Sequence, residues 1–283
     1  MFRKIKLKAN AKINLTLSIT GKREDGYHLI DTVMQNISLF DTVVVKPSKV
    51  ITVKCKDSDI ENEKNIAYKA AKLFFAETGI TGGADIRIKK RIPMAAGLGG
   101  GSADAAAVLL ALNIMYNANL SAEKLEEIAL RLGADVPFFI TGGTKRAEGI
   151  GEILTDLKPF KNGYFILVKD GTKPSTAEMY KRLDSEEHQK PDVDSAVKLI
   201  ENEDILNFAK VLGNSFASVW NESKTKDLLL EFNPLSVSLS GSGPTWFAVF
   251  DDKGAAKKAF KALKKQKKEC YFAKPQDFGV SFA

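Results

Sequence analysis

A glycine-rich segment in front of an alanine-rich helix constrains this chain more than any other feature of its sequence. It reads Pro93-Met94-Ala95-Ala96-Gly97-Leu98-Gly99-Gly100-Gly101-Ser102-Ala103, and a helix is predicted over Ser102–Met115. Glycine permits positive φ and the close approach of an anion. The first turn of a helix has unpaired N–H groups at the positive end of its dipole. The segment therefore favours phosphate binding over a plain flexible loop. We expect Ser102 to cap the helix or to meet a phosphate-bound Mg²⁺.

The spacing of this segment excludes two common nucleotide-binding motifs. A Walker loop ends in Gly-Lys-Ser/Thr, whereas Ser102 follows Gly101 with no lysine between them. The dinucleotide fingerprint needs a third glycine at a fixed offset, and Ser102 or Asp104 stands at that position. Any phosphate site here is therefore of another kind.

Strict alternation near the N-terminus predicts a half-buried strand over Ala11–Ile19, with apolar residues at the odd positions and polar residues at the even ones. Side chains two residues apart share one face of a strand. Lys12 and Asn14 are therefore expected side by side. Alone, Lys12 would be an ordinary surface lysine.

The remaining pattern predicts strands and helices in two units that meet near residues 157–163. Further strands are expected at Thr32–Leu39, Thr42–Val45, Val50–Lys54, Ala84–Lys89, Lys145–Ala147, Gly163–Val168, Leu235–Leu239, Thr245–Phe250 and Glu269–Ala273. Helices are expected at Asn65–Glu77, from Ser121 to about Gly133, at several places between Val193 and Leu230, and from Lys253 onward. Residues 184–194 form a polar connector. The second unit is expected to be a small α+β domain.

Charge and composition narrow the class of protein. The 283 residues include 42 Lys+Arg and 35 Asp+Glu, and residues 253–268 hold eight lysines and no acid. Apolar residues recur there at helical spacing, which favours a solvated amphipathic helix over a nucleic-acid-binding one. We expect no nucleic-acid partner and no membrane span, since no apolar run approaches about 18 residues. Two cysteines and an N-terminus without the apolar stretch of a signal peptide favour the cytoplasm.

Three further features are ambiguous by themselves. Asp135 precedes Val136-Pro137, and this position by itself favours a turn or helix-entry residue over a catalytic one. The turn Ser240-Gly241-Ser242-Gly243 between two predicted strands is as easily a hairpin turn as a phosphate contact. His28 and His188 are too few and too far apart for a histidine metal site, and we predict no protein-held metal.

Together these segments resemble the GHMP small-molecule kinases. The resemblance rests on six segments in the family's order, between residues 9 and 250. They are Ala11-Lys12-Ile13-Asn14-Leu15, Arg23-Glu24-Asp25-Gly26-Tyr27-His28, Lys90 through Asp104, Gly133-Ala134-Asp135-Val136-Pro137-Phe138, Gly142-Gly143-Thr144 and Ser240-Gly241-Ser242-Gly243-Pro244-Thr245. The Asp-Gly-Tyr-His stretch narrows it to the branch that phosphorylates an alcohol carrying a cytidine diphosphate group in non-mevalonate isoprenoid biosynthesis.

The resemblance implies an α+β fold of two domains. Residues 1–158 would form a ribosomal-protein-like α/β domain and residues 159–283 a ferredoxin-like α+β domain. ATP, with Mg²⁺ carried on it, and the small-molecule substrate would bind in the cleft between them. The oligomeric state, monomer or homodimer, is left open.

The resemblance also assigns roles to residues. Asp135 would be the catalytic base and Lys12 its cationic partner. The segment 93–103 and Asn65 would bind ATP. The substrate would be bound by Asn14, Tyr27, His28, Thr176, Tyr180, Gly241, Ser242 and Gly243, with the two tyrosines and His28 around the cytidine.

Three other functions remain to be separated from this one. The chain could be a GHMP kinase for another alcohol, such as homoserine or mevalonate. It could be a basic RNA-binding protein, recognised by a steep salt dependence. It could also be an anion-binding module without catalysis, against which Lys12 and Asp135 argue.

Overall fold

The computed structural model describes residues 4–56, 62–171, 175–220 and 223–283. The first three residues of the basic N-terminal segment lie outside these ranges. The strands are β1 Ile5–Lys22, β2 His28–Ser48, β3 Thr52–Lys56, β4 Gly83–Lys89, β5 Thr144–Glu148, β6 Ile153–Asp156, β7 Tyr164–Lys169, β8 Ser236–Leu239, β9 Thr245–Phe250, β10 Cys270–Ala273, β11 Pro275–Gln276 and β12 Val280–Phe282. The helices are α1 Ile66–Thr78, α2 Gly100–Met115, α3 Ala122–Leu130, α4 Val136–Thr141, α5 Thr176–Ser185, α6 Val193–Glu201, α7 Ile205–Val211, α8 Lys224–Leu230 and α9 Lys253–Lys265. The predicted strands and helices are found in the predicted order, except that the two strands expected within residues 32–45 are one continuous strand, β2. The strands β6, β11 and β12 and the helices α4 and α5 were not predicted.

The first sheet has the order β12-β1-β2-β4-β3, with β5 and β11 pairing to β2 and β6 pairing to β5. Its pairs are antiparallel except β3 with β4. Helices α1 to α4 pack against it, and α2 is buried along most of its length. The alanines of α2 let the helices and the sheet approach closely, which places the start of α2 beside β1.

The second sheet has the order β10-β7-β9-β8 and is antiparallel throughout. Numbered along the chain, this is the order 4-1-3-2, which confirms the ferredoxin-like topology of the second unit. In α9, Ala256, Ala259 and Leu263 are buried and the lysines are exposed. The prediction of a solvated amphipathic helix is therefore confirmed.

The end of the chain returns to the first sheet. After β10, the strand β11 pairs with β2 and β12 pairs with β1, with Leu7 opposite Phe282. The chain therefore passes twice between the two sheets. This arrangement joins the C-terminal segment of the predicted second domain to the sheet of the first.

Strand β1 is more deeply buried than its alternation predicted. Both of its faces are buried from Ala9 to Ile19, so the expectation of a half-buried strand is wrong. The second unit packs on the apolar side, where Ala11, Ile13 and Leu15 share a core with Phe165 and Phe247. It also bonds to the backbone of the strand, where Leu17 N–H donates to the Gly213 carbonyl at 2.9 Å and Ile19 N–H donates to Ser215 Oγ at 3.1 Å. On the polar side, Lys12 lies against Gly99 of the glycine-rich loop. A period-two pattern identifies the strand but not what covers each face.

A buried ion cluster lies beneath the glycine-rich loop. Lys90 Nζ donates to Asp104 Oδ2 at 2.7 Å and also to Asp41, whose other oxygen accepts the Ile92 N–H at 2.9 Å. Burial raises the pKa of Asp104 to about 7 despite the attraction of Lys90. Burial alone would lower the Lys90 pKa, but the two carboxylates outweigh it and raise that pKa. The cluster ties β2 and β4 to α2 where the loop begins.

Replacing Lys90 by methionine should destabilise the protein strongly. Lys90→Met leaves two carboxylates buried without a counter-charge, and breaking a buried pair costs about 3–5 kcal/mol. Urea unfolding should show this loss in the free energy of unfolding. Lys124→Met, which removes an exposed pair with Glu127, should cost no more than about 1 kcal/mol. Equal losses in the two variants would contradict the role of the cluster.

Candidate active site

A lysine and an aspartate from distant parts of the chain meet between the two units. Lys12 Nζ, on β1, lies 3.6 Å from Asp135 Oδ2, and the Lys12 side chain is 5% exposed while that of Asp135 is 40% exposed. Asp135 occupies the N-cap position of α4, but its side chain makes no capping hydrogen bond. Its carboxylate is therefore available to the cleft, with a buried ammonium beside it.

A short chain of hydrogen bonds holds Lys12 in place. Its ammonium donates to Asn14 Oδ1 at 2.8 Å, and Asn14 Nδ2 donates to Thr32 Oγ1 at 2.9 Å. The Thr32 hydroxyl donates in turn to the Thr16 carbonyl. The pair of residues predicted to share a face thus does so, and β2 supplies a threonine that orients the amide.

The Lys12–Asp135 pair lies in a cleft of about 460 Å³ lined by both units. The first unit contributes β1, the glycine-rich loop and the start of α4. The second contributes α5 and the Ser/Gly turn. The lining residues are Lys12, Asn14, Leu17, Ile30, Met34, Ala95, Gly97, Gly99, Asp135, Ile150, Ser175, Thr176, Tyr180, Phe216, Gly241 and Ser242.

The glycine-rich loop leads into α2, and no side chain caps the start of this helix. The helix begins at Gly100 with Gly99 as N-cap at φ +68°, so the expectation that Ser102 caps the helix is wrong. Ser102 is the third residue of the first turn. The loop borders a separate depression of about 260 Å³, lined by residues 93, 95–102, Ile66 and Lys90. An anion there would meet the helix's N-terminal N–H groups and its positive dipole end.

The Ser/Gly turn between β8 and β9 is both a hairpin turn and a support for this loop. Ser240 Oγ donates to the Gly97 carbonyl at 2.9 Å. Asn214 Nδ2 holds the turn by donating to the carbonyls of Leu239 and Gly241 at 2.7 and 2.9 Å. Gly97 has φ +74°, and a Cβ there would lie 2.2 Å from the Ser240 carbonyl oxygen. The two loops are therefore in contact through their backbones.

A second cavity, of about 590 Å³, adjoins the first and shares Ile150 and Tyr180 with it. The His28 and Tyr180 rings are stacked there, with centroids 4.4 Å apart and planes 18° apart. Tyr27 stands at the rim with 60% of its surface exposed. Burial, with a smaller contribution from Asp135, raises the pKa of Tyr180 to about 12, so its phenol stays neutral. The rings of this cavity offer flat faces suited to another aromatic ring, and we call it the aromatic cavity.

Most of the predicted site residues line one of these three spaces. Asn65 does not, since it caps α1 by accepting the Ala67 N–H at 2.9 Å. Ala103 is buried in the core. Gly243 lies against Trp220, whose indole donates to the Ser242 carbonyl at 3.2 Å. Thr176 Oγ1 lies 3.3 Å from Ser242 Oγ, and both residues belong to the wall of the cleft that the second unit forms.

Four residues around these cavities escaped the sequence analysis: Thr32, Asn214, Lys22 and Asp184. Nothing in their spacing distinguishes the first three from ordinary polar residues. Asp184 stands four residues after Tyr180 and eight after Thr176, which is the spacing of one helix face. The expectation that a connector begins at residue 184 is wrong, because α5 continues to Ser185.

Two kinds of feature are not found within the described ranges. Their side chains form no group of three or more His, Cys, Asp or Glu that could hold a metal ion. Likewise, among these residues, there is no helix of the length and apolarity needed to cross a membrane.

Comparison with known proteins defines the class of this chain. Residues 65–143 match the GHMP kinases N terminal domain and residues 196–269 match the GHMP kinases C terminal domain. The crystal structure of homoserine kinase from Cytophaga hutchinsonii shares the fold, with a TM-score of 0.77 at 20% identity over 100% of this chain and 98% of that one. The fold is thus that of the GHMP kinases, which are ATP-dependent.

Two closer relatives narrow the class. The 4-diphosphocytidyl-2-C-methyl-D-erythritol kinase of Clostridium perfringens is 43% identical over 92% of this chain and 93% of its own length. A crystal structure of 4-(cytidine 5'-diphospho)-2C-methyl-D-erythritol kinase is 31% identical, with a TM-score of 0.81 over 96% of this chain and 99% of that one. The chain belongs to the 4-diphosphocytidyl-2-C-methyl-D-erythritol kinase family.

The contact between the glycine-rich loop and the Ser/Gly turn predicts that alanine lowers stability at Gly97 but not at Gly101. Gly97→Ala forces both a positive φ and a clash with the Ser240 carbonyl, and it should cost at least about 2 kcal/mol of stability. Gly101→Ala is the matched control, since its Cβ would meet only Ile66 at 3.6 Å. Alanine should leave stability there equal or higher, because it favours helix by up to about 1 kcal/mol. Thermal unfolding compares the two; equal midpoints would contradict the proposed contact.

Proposed function

We propose that this protein transfers the γ-phosphoryl group of ATP to the 2-hydroxyl of 4-(cytidine 5'-diphospho)-2-C-methyl-D-erythritol. The proposal is carried by one observation: the Lys12–Asp135 pair lies in a cleft that is lined by the glycine-rich loop and adjoins the cavity with the His28–Tyr180 stack. A bond forms between the hydroxyl oxygen and the γ-phosphorus, and the bond to the bridging oxygen of ADP breaks. The hydroxyl proton passes to Asp135.

Asp135 has the environment of a general base for this step. Its carboxylate is accessible from the cleft, and the oppositely charged Lys12 Nζ lies 3.6 Å from its Oδ2. Lys12 is oriented by Asn14, so its remaining protons can meet the substrate hydroxyl or the transferring phosphoryl group. Phosphoryl transfer depends mainly on such positioning and on charge stabilisation.

ATP is placed on the glycine-rich loop, residues 93–103, with its phosphates at the start of α2. Mg²⁺ binds phosphate oxygens and keeps several waters, so it needs few protein ligands. The residues of the loop fit a Mg²⁺ that is held mainly by phosphate oxygens and water, since Ser102 is the residue of this loop that carries a hydroxyl group. Mg²⁺ supplies charge neutralisation when bound. Asn65 supports the adenine side through the cap of α1, beside Ile66.

The substrate is placed across the two adjoining cavities. The cytosine ring stacks on Tyr27 in the larger cavity, beside the stacked rings of His28 and Tyr180. Asn14, Thr176, Gly241, Ser242 and Gly243 surround the diphosphate and the erythritol unit. Homoserine or mevalonate would leave the aromatic cavity empty, which favours the cytidine ester. We place the enzyme in the cytoplasm, because two cysteines are too few for a disulfide framework and suit a reducing compartment.

The direct test is a substrate panel in a coupled ADP assay, with the product position determined by phosphorus NMR. The cytidine diphosphate ester should be phosphorylated at its 2-hydroxyl, with a kcat/KM far above that for homoserine or mevalonate. Preference for an alcohol without cytidine would overturn the proposal. Tight RNA binding without turnover would point to a nucleic-acid-binding function instead.

Asp135→Asn and Lys12→Ala should remove turnover while sparing ATP binding. A positioned acid or base contributes about 10²–10⁴-fold to the rate, so kcat should fall by that order. The dissociation constant of ATP, measured by calorimetry, should stay within about threefold, because neither side chain lies on the phosphate loop. Lys6→Ala and Asp251→Asn, both exposed, are the controls. Near-normal kcat in both cleft variants would refute these roles.

Tyr27→Ala should weaken substrate binding selectively. Stacking on an aromatic side chain contributes about 1–3 kcal/mol per base, so the substrate KM should rise about tenfold or more. The KM for ATP should not change. Phe278→Ala is a matched control, because Phe278 is 61% exposed, nearly the same as Tyr27, and lines none of the three cavities. An unchanged substrate KM in Tyr27→Ala would remove the stacking role.

A further inference from the structure

An ion cluster bridges the two units at the rim of the aromatic cavity. Asp184, at the end of α5, accepts a hydrogen bond from Lys22 Nζ through Oδ2 at 2.6 Å. Its Oδ1 lies 2.7 Å from His28 Nε2. Lys22 ends β1 and His28 begins β2, so one carboxylate of the second unit joins both ends of a turn in the first. All three residues line the aromatic cavity.

Helix α5 carries this carboxylate on a face that already touches the site. Thr176, Tyr180 and Asp184 follow each other at intervals of four residues, close to the 3.6-residue turn of a helix. Thr176 lies beside Ser242, Tyr180 stacks on His28, and Asp184 bonds to His28. A capping box at Ser175 and Glu178 fixes the start of the helix. One rigid element therefore contacts the phosphate side and the aromatic side together.

We propose that Asp184 is a positioning residue for nucleoside recognition, acting through His28. This inference rests on the proposed function, since it concerns how that substrate's cytidine is held. The carboxylate holds the imidazole edge-on while Tyr180 holds its face, so the ring has one orientation. Because Tyr27 directly precedes His28, the same contact fixes the backbone from which Tyr27 projects.

The chemistry of the cluster suits this role. Hydrogen bonds from Lys22 and His28 hold the pKa of Asp184 below its usual range, so it is an anionic acceptor at neutral pH. An ionised carboxylate can only accept hydrogen bonds, so the Nε2 atom of His28 must carry the proton that it donates to Asp184. In the neutral ring this leaves Nδ1 as an acceptor. The His28 side chain is 9% exposed, so the tautomer is set by the protein and not by solvent.

The cluster is poorly suited to a purely stabilising role. Asp184 and Lys22 have side chains 39% and 48% exposed, and exposed ion pairs contribute little to stability. The contact instead joins Asp184 to His28 and to Lys22, which lie 156 and 162 residues away in the chain, at the mouth of the aromatic cavity. Its loss should therefore change ligand binding and leave the unfolding temperature nearly unchanged.

The test uses Asp184→Asn in the full-length enzyme, with cytidine diphosphate as the binding probe. Calorimetry should show its dissociation constant raised about tenfold, the loss expected when a charged hydrogen-bond partner is removed. The KM of the cytidine ester should rise in parallel, with kcat and the KM for ATP unchanged. Asp184→Glu should restore part of the affinity. Glu187→Gln, an exposed acid just beyond α5, is the control.

A double-mutant cycle separates action through His28 from action through Lys22. If Asp184 acts through the imidazole, adding Asp184→Asn to His28→Ala should change the cytidine diphosphate affinity by less than about twofold. Lys22→Met alone should have a smaller effect than Asp184→Asn. Additive losses in the His28 cycle would overturn the inference.

The outcomes also separate this inference from the proposed function. Unchanged affinity and KM in Asp184→Asn, with a competent wild type, would overturn the positioning role alone. A lowered unfolding temperature together with a lowered kcat would show a merely structural role and overturn it too. A wild-type enzyme that neither binds cytidine diphosphate nor phosphorylates the ester would overturn the proposed function itself.

Discussion

The buried ammonium of Lys12 is the group around which the rest of the structure is arranged. A buried charge needs partners, and the chain supplies two: Asn14 on the same strand and Asp135 at the start of α4. Thr32 on the neighbouring strand holds the Asn14 amide in place. The second unit completes the burial by packing on β1. The site and the junction between the two units are thus one feature of the fold.

Strand β1 performs this task because its two faces meet different neighbours. Its apolar residues Ala11, Ile13 and Leu15 pack into a core with the second unit, whereas its polar residues Lys12 and Asn14 line the cleft. Its backbone also receives the glycine-rich loop, since Lys12 N–H donates to the Leu98 carbonyl at 3.0 Å. The glycine-rich loop is therefore held in register with Lys12 by a main-chain hydrogen bond. On its other side the glycine-rich loop is bonded to Ser240 of the second unit. A movement of one unit relative to the other would therefore displace the loop relative to Lys12.

The local pattern of the sequence was sufficient for some features and insufficient for others. Period-two alternation predicted that Lys12 and Asn14 share a face, and the glycine run predicted a loop at the start of a helix. Burial of the polar face and the return of β12 to β1 depend on contacts far apart in sequence, which no local pattern contains. Ser102 failed as a cap because Gly99 adopts the left-handed conformation and begins the helix earlier. Asp184 was missed because a polar run looks like a connector, although it continues a helix face.

The most direct test of the account is a crystal structure with a non-hydrolysable ATP analogue and the cytidine diphosphate ester. The account predicts that the substrate's 2-hydroxyl lies about 3 Å from an Asp135 carboxylate oxygen and within hydrogen-bond reach of Lys12, on the side facing the γ-phosphate. The triphosphate should lie against the N–H groups of residues 97–102. A hydroxyl remote from Asp135, or a triphosphate bound away from that loop, would contradict it.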